Sequence, residues 1–324
     1  MRKYGKNILF LAILALLIYV PGKCMTSKFM VKNHLANCKN GVHANLMVEP
    51  KNSLDVLIIG DSESYTTVSP MQLWRDYGIT SYAAGQPGAK LSDSEKVLKT
   101  AMNKQTPKIV LLETNNLFRI DRKETMSKDY ISGFLYKHFK LLKEHNVWKS
   151  PLMEVRGKSY KGFHVSRKIK PYTGGDYMIS ANQKVKISNR NLNTLKNIKN
   201  ICDKNGTQLI LYSAPSPKNY NYDKHVRLAK VSKKMGVTYI DLNTKVRELG
   251  IDWYVDTRDK GDHLNLFGAG KTTDYLGTYL DYHFDFSDND IDMNVKSWNK
   301  LLKKYEASTG DKERQWTLEI KNQF

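Results

Sequence analysis

Cysteine is scarce in this 324-residue chain: Cys24, Cys38 and Cys202 are the only three. An odd count forbids a complete disulfide framework, and no CxxC or clustered Cys/His spacing offers a structural zinc site. Cys24 and Cys38 are free to pair, whereas Cys202 lies in the helical pattern NIKNICDK and reads as a buried small hydrophobe. Proline and glycine number only 9 and 20, which excludes collagen-like and proline-rich stalk architectures. Arginine supplies only 11 of the 52 cations. Sequence-specific nucleic-acid readers lean on its bidentate fork, so its shortage argues against that class. Acidic residues are few as well, 32 against 52 Lys+Arg, for a net charge of +20.

What is present suits a folded, strongly basic protein. Hydrophobic residues make up 40% and aromatics 10%, enough for a core and too many for wholesale disorder. The charge is concentrated. Residues 136–234 carry 22 cations against 5 anions, residues 1–135 carry 18 against 11, and residues 235–324 carry 12 against 16. A lysine-rich excess of this kind suits diffuse attraction to a polyanion, or simply forms a solvated basic face.

The chain has one long apolar run. MRKYGK is followed by Ile8–Val20, ILFLAILALLIYV, and then by Pro21-Gly22-Lys23. A basic segment before such a run is a secretory signal or a short signal-anchor. Thirteen helical residues span roughly 20 Å, short of a hydrocarbon core of roughly 30 Å, with flanking residues available to extend them. No A-x-A site follows the run, and Pro21-Gly22-Lys23 before Cys24 is not a lipobox, so an uncleaved anchor is the preferred reading. The cations before the run place that end in the cytoplasm and the rest of the chain outside. The expected localisation is the cell membrane, with one N-terminal anchor (residues 1–24) and an extracytoplasmic body.

After a polar linker (25–53), strand and helix patterns alternate. LDVLIIG (54–60), ITSYAA (79–84), KIVLLE (108–113), TQLILYS (207–213) and VTYID (237–241) read as strands. Helical patterns fall near 91–103, 128–145, 190–204, 222–235 and 266–282. The expected fold is therefore α/β: a flavodoxin-like three-layer sandwich with a five-stranded parallel sheet, order 2-1-3-4-5. This body spans 54–284. A basic, aromatic-containing insertion at about 146–189 interrupts it, and a helical extension at 285–324 follows it. Ligands in such sheets bind beyond the carboxyl ends of the strands.

Four elements at those strand ends carry chemistry. Strand 1 runs into Gly60-Asp61-Ser62, where a glycine permits a sharp turn and exposes a serine hydroxyl. A serine there serves as a nucleophile or as a helix N-cap. Gly85 and Gly88 follow strand 2 in AAGQPGA, either bringing a backbone N–H to a substrate oxygen or forming a plain turn. Asn115 and Asn116 follow strand 3, where a neutral amide suits a developing oxyanion or ordinary turn chemistry. Late in the chain, DTRDKGDHLN places Asp259 and Asp262 beside His263, as an oriented general base requires.

Taken in order, these blocks resemble the SGNH (GDSL-type) hydrolase superfamily over roughly residues 54–283. The resemblance implies Ser62 as nucleophile, His263 as base, and an oxyanion hole from the Ser62 N–H, the Gly85 N–H and the Asn115 side chain. Two blocks depart from the family pattern. ETNN stands for G-x-N-D, which leaves Asn115 and Asn116 as alternatives, and Lys260 stands three before His263. Asp259, four before, is preferred over Asp262 as the orienter, with Gly261 absorbing the extra residue. An anchored SGNH domain containing GDHLNLFGAGK also looks like the accessory proteins of teichoic-acid D-alanylation and alginate O-acetylation. That resemblance implies acyl transfer on a cell-surface glycan or teichoic acid beside a membrane-bound O-acyltransferase partner. No metal or cofactor is expected, and no nucleic-acid partner. The competing reading is a non-catalytic SGNH-fold module that binds an anionic envelope polymer through its lysines.

Overall fold

The computed structural model describes residues 2–24, 46, 49–119, 159–180, 185–286 and 292–310. The helix expected at 128–145, nearly all of the 25–53 linker, and Cys38 lie outside them. The chain divides into two compact units, Met1–Glu49 with Ile120–Arg156, and Pro50–Arg119 with Gly157–Phe324. The first contains helix α1 (Arg2–Cys24). Its apolar residues stand out in solvent, with Ile8, Phe10 and Leu16 each more than 60% exposed. Among the described residues, no helix is long and apolar enough to cross a membrane.

The second unit is built on a parallel sheet of β1 (Val56–Ile59), β2 (Ser81–Ala83), β3 (Ile109–Glu113), β6 (Gln208–Ser213) and β7 (Thr238–Asp241). Its order is β2-β1-β3-β6-β7, where the sequence suggested 2-1-3-4-5. The numbering differs because a short antiparallel hairpin intervenes, β4 (Ser159–Tyr160) with β5 (Phe163–His164). The region read as an irregular insertion therefore contains a small element of its own. The hairpin docks on the sheet edge, where the Ala83 N–H donates to the Lys161 carbonyl at 2.9 Å.

The strands are apolar along their length because both faces are covered. Val56, Ile58, Ile109, Leu111, Ile210 and Tyr212 share one buried face with Leu73 of α3 (Pro70–Tyr77) and with Leu276 and Leu280 of α7 (Leu266–His283). Strand periodicity sends Leu57, Ile59, Val110, Leu112 and Leu211 to the opposite face, and all are fully buried. Helices α4 (Leu91–Met102) and α5 (Asn189–Lys204) pack on each other and on β1 and β6. Cys202 of α5 is a free, buried thiol, pushed up to about 12 by that burial. Helix α6 (Tyr222–Met235) packs on β7.

Helix α8 (Asp292–Thr309) belongs to the same unit. It seats the buried Trp298 ring 5.4 Å from the Trp74 ring of α3, and Tyr305 Oη lies 3.0 Å from Ser69 Oγ. A two-turn helix such as α3 is marginal alone, and this packing accounts for its persistence.

Candidate active site

The first functional turn is fixed by what cannot fit there. Gly60 leaves β1 at φ +153°, and a Cβ on it would stand 2.7 Å from Glu113 Cβ. Any other residue would force β1 and β3 apart, so a glycine is required at this turn. The Asp61 carbonyl accepts from the Ser64 N–H and hydroxyl, and its carboxylate accepts from the Glu63 N–H at 3.0 Å. These bonds close a tight turn that leads into α2 (Ser64–Thr67). Ser62 does not cap this helix: the N-cap position is Glu63, which makes no side-chain cap bond. The Ser62 hydroxyl instead faces His263 Nε2.

The second functional segment is the loop before α7. Both its ends are pinned. The Asn265 N–H donates to the Asp256 carbonyl at 2.9 Å, and Asn265 Oδ1 caps α7 through Phe267 and Gly268. Asp256 is buried against Lys271 of α7 at 2.6 Å. Burial drives both groups toward their neutral forms, raising the Asp256 carboxyl and lowering the Lys271 ammonium against their mutual attraction. Inside the loop, Lys260 and Gly261 both adopt left-handed backbone, φ 65° and 83°. This pair turns the chain between Asp259 and His263. The lysine pays roughly 1–2 kcal/mol for that conformation.

The two segments meet. His263 Nε2 lies 2.7 Å from Ser62 Oγ, and His263 Nδ1 lies 2.7 Å from Asp259 Oδ2. Asp259 Oδ1 also accepts the His263 backbone N–H at 2.7 Å, so one carboxylate fixes both backbone and ring. Asp262 Oδ1 is 3.8 Å from Nδ1, outside hydrogen-bond range. Burial works to raise the Asp259 carboxyl. Hydrogen bonds from the His263 ring and N–H, with the charge of Arg258, outweigh it and hold Asp259 below the ordinary carboxylate range. An anionic partner on Nδ1 leaves Nε2 as the proton acceptor facing the serine.

The oxyanion candidates separate cleanly. Asn116 is fully buried and donates to Ser94 Oγ of α4, away from Ser62. Asn115 is half-buried and donates one amide proton to Asp61 Oδ2 at 3.0 Å, and its second amide proton has no acceptor among the described residues. Its backbone N–H rests on the Glu113 carboxyl, 3.0 Å from each oxygen. Gly85 packs against the Ser62 turn: a Cβ there would stand 1.9 Å from Ser64 Oγ and 2.6 Å from the Asp61 carbonyl. The N–H groups of Ser62 and Gly85 have no backbone acceptor among the described residues.

Several participants were not foreseen from the sequence. Arg119 Nη2 sits 2.6 Å from Asp61 Oδ2, in the turn that carries Ser62. Asp61, Glu63 and Glu113 form a fully buried group with carboxylate oxygens within 4.8 Å of one another. Burial, with the neighbouring Asp61 charge, raises Glu63 to about 8, and burial with Glu63 and Asp61 raises Glu113 well above the ordinary range. With Glu63 raised to about 8, the group does not carry three charges at neutral pH. A second group, Asp259, Asp262 and His263, has the donor types of a metal site, but two of its ligand atoms are already committed to each other. Asp61 and Glu63 follow β1 while Glu113 closes β3, and nothing in local sequence signals that the three carboxyls will be buried together.

No protein-family model matches the chain, and no curated protein matches it in sequence. Solved structures align with it at low identity. One from Bacteroides fragilis, named as an acylhydrolase, aligns over 75% of this chain and 95% of its own, with 10% identity and a TM-score of 0.40. Another from Streptococcus pneumonia, named for platelet activating factor, aligns over 85% and 98%, with 13% identity and a TM-score of 0.42. Likeness at this level carries no chemical information; that comes from the side chains themselves.

Proposed function

We propose that the chain is a serine-dependent hydrolase or O-acyltransferase of SGNH type that works through an acyl-enzyme on Ser62. The single observation behind this reading is the unbroken chain Ser62 Oγ–His263 Nε2 and His263 Nδ1–Asp259, with both links at 2.7 Å. Those distances lie within the reach expected of a nucleophile, its base and the group that orients the base.

The chemistry follows from the contacts. Ser62 Oγ attacks an ester carbonyl as its proton passes to His263 Nε2, and Asp259 stabilises the imidazolium. The carbonyl oxygen becomes an oxyanion facing the Ser62 and Gly85 N–H groups and the spare Asn115 amide proton. Collapse breaks the ester C–O bond, and the leaving alcohol takes its proton from Nε2. Water or a second hydroxyl then gives a proton to His263 and attacks the acyl-serine, which frees Ser62. Water as acceptor makes an esterase; a glycan hydroxyl makes a transferase.

The setting is part of the proposal. The exposed apolar residues of α1 behind Arg2, Lys3 and Lys6 support an N-terminal anchor with the sheet-bearing unit outside the cell. The lysine excess of residues 136–234 supports an anionic surface glycan or teichoic-acid-like polymer as substrate, with a membrane-bound O-acyltransferase as partner. The test is turnover of a short acetyl ester by the purified protein, lost on Ser62→Ala and on His263→Ala. Salt-sensitive binding of teichoic acid without labelling or turnover would favour the binding-module reading.

A further inference from the structure

The loop between β6 and α6 grips the base-bearing loop at several points. Ser216 Oγ donates to the Asp262 carbonyl at 3.0 Å, and the Lys218 N–H donates to the Gly261 carbonyl at 3.1 Å. Lys218 Nζ reaches the Asp259 carbonyl at 3.2 Å. Asn219 goes further. Its single amide nitrogen lies 2.6 Å from Glu63 Oε1 and 2.6 Å from Asp262 Oδ1. An amide nitrogen carries two protons, so both contacts are satisfied at once.

The two acceptors are the chain neighbours of the working pair: Glu63 follows Ser62, and Asp262 precedes His263. The bridge thus spans from one catalytic loop to the other, which local sequence would otherwise leave independent. It has a second consequence. Asp262 Oδ1 is only 3.8 Å from His263 Nδ1, the nitrogen that Asp259 holds at 2.7 Å. A freed Asp262 carboxylate would compete with Asp259 for that nitrogen and turn the ring off Ser62.

We infer that Asn219 is a positioning residue, whose amide ties the Ser62 turn to the His263 loop and keeps the Asp262 carboxylate off His263 Nδ1. This inference rests on the proposed Ser62–His263 chemistry.

The test is a double-mutant cycle with Asn219→Ala and Asp262→Ala, read in the full-length protein by ester turnover and by thermal stability. In the parent background, Asn219→Ala should lower kcat about ten-fold with KM little changed, a loss typical of misplaced catalytic geometry. In the Asp262→Ala background the same substitution should cost less than about two-fold, because the competing carboxylate is gone. A second readout needs no turnover: the proton resonance on His263 Nδ1 should shift in Asn219→Ala and stay put when Asp262→Ala is also present. Asn219→Ser, too short to span both carboxyls, is read the same way if Asn219→Ala does not fold. Equal losses in both backgrounds, or an unmoved resonance in Asn219→Ala, would overturn the inference. Failure of the parent protein to turn over esters would count against the hydrolase reading alone, since the resonance comparison still decides the role of Asn219.

Discussion

Asp259 holds His263 at two points, the backbone N–H through Oδ1 and ring Nδ1 through Oδ2, each at 2.7 Å. A carboxylate bonded to one ring atom fixes a tautomer; bonded to the backbone as well, it also fixes where the ring hangs. The neighbouring Asp262 has no comparable grip.

Asp259→Asn should therefore be far more harmful than Asp262→Asn. Loss of the anionic orienter from such a triad costs about 10⁴ in kcat. We expect a loss of that order in ester kcat/KM for Asp259→Asn, at least about a hundred-fold larger than for Asp262→Asn. Comparable losses at the two positions would place the orienter wrongly.

Gly85→Ala should damage folding and chemistry together. The added methyl meets Ser64 Oγ and the Asp61 carbonyl inside contact distance, and neither can retreat without opening the Ser62 turn. Overpacking of this kind costs about 1–3 kcal/mol, measurable as a lowered denaturant midpoint. Fluorophosphonate labelling at Ser62 should fall in parallel.

Glu63 makes stability depend on pH in an unusual sense. Its ordinary value is 4.5, and in the fold it is raised to about 8 by burial and by Asp61. Between those limits the folded protein holds a proton that the unfolded chain releases. Stability therefore falls as pH rises from about 4.5 to about 8 and levels beyond. Glu63→Gln keeps the shape without the titration, so its unfolding free energy should vary less across that window. The difference should reach the order of a few kcal/mol at pH 8. Urea unfolding at pH 5, 6.5 and 8 checks it.

The Asp256–Lys271 pair anchors the start of the base-bearing loop to α7, with both side chains almost wholly buried. Lys271→Ala leaves Asp256 without its cation and should cost about 3–5 kcal/mol, read as a lower unfolding midpoint. Replacing both residues by apolar ones of similar size should recover much of that loss.

How much of this could be read in advance depends on the kind of interaction. The β-strands were legible because both sheet faces demand unbroken apolar runs such as VLII and IVLLE. The Ser62 turn and the Asp259–His263 loop were legible because glycine and spacing leave few conformations. Arg119 on Asp61 and Asn219 between Glu63 and Asp262 were not, since these contacts join residues 43 to 156 apart through side chains of ordinary polar type. Glu113 was hidden for a related reason: a glutamate closing a strand looks exposed until its neighbours bury it. Helix α8 showed its pattern, but its seat on Trp74 and Ser69 has no signature in local sequence.

The most direct measurement of the central claim is mass-spectrometric mapping of a fluorophosphonate adduct on the purified protein. The account predicts one modified residue, Ser62, with labelling abolished by Ser62→Ala and slowed by at least about a hundred-fold in His263→Ala. A folded protein that remains unlabelled at Ser62, or is labelled equally fast without His263, would contradict it.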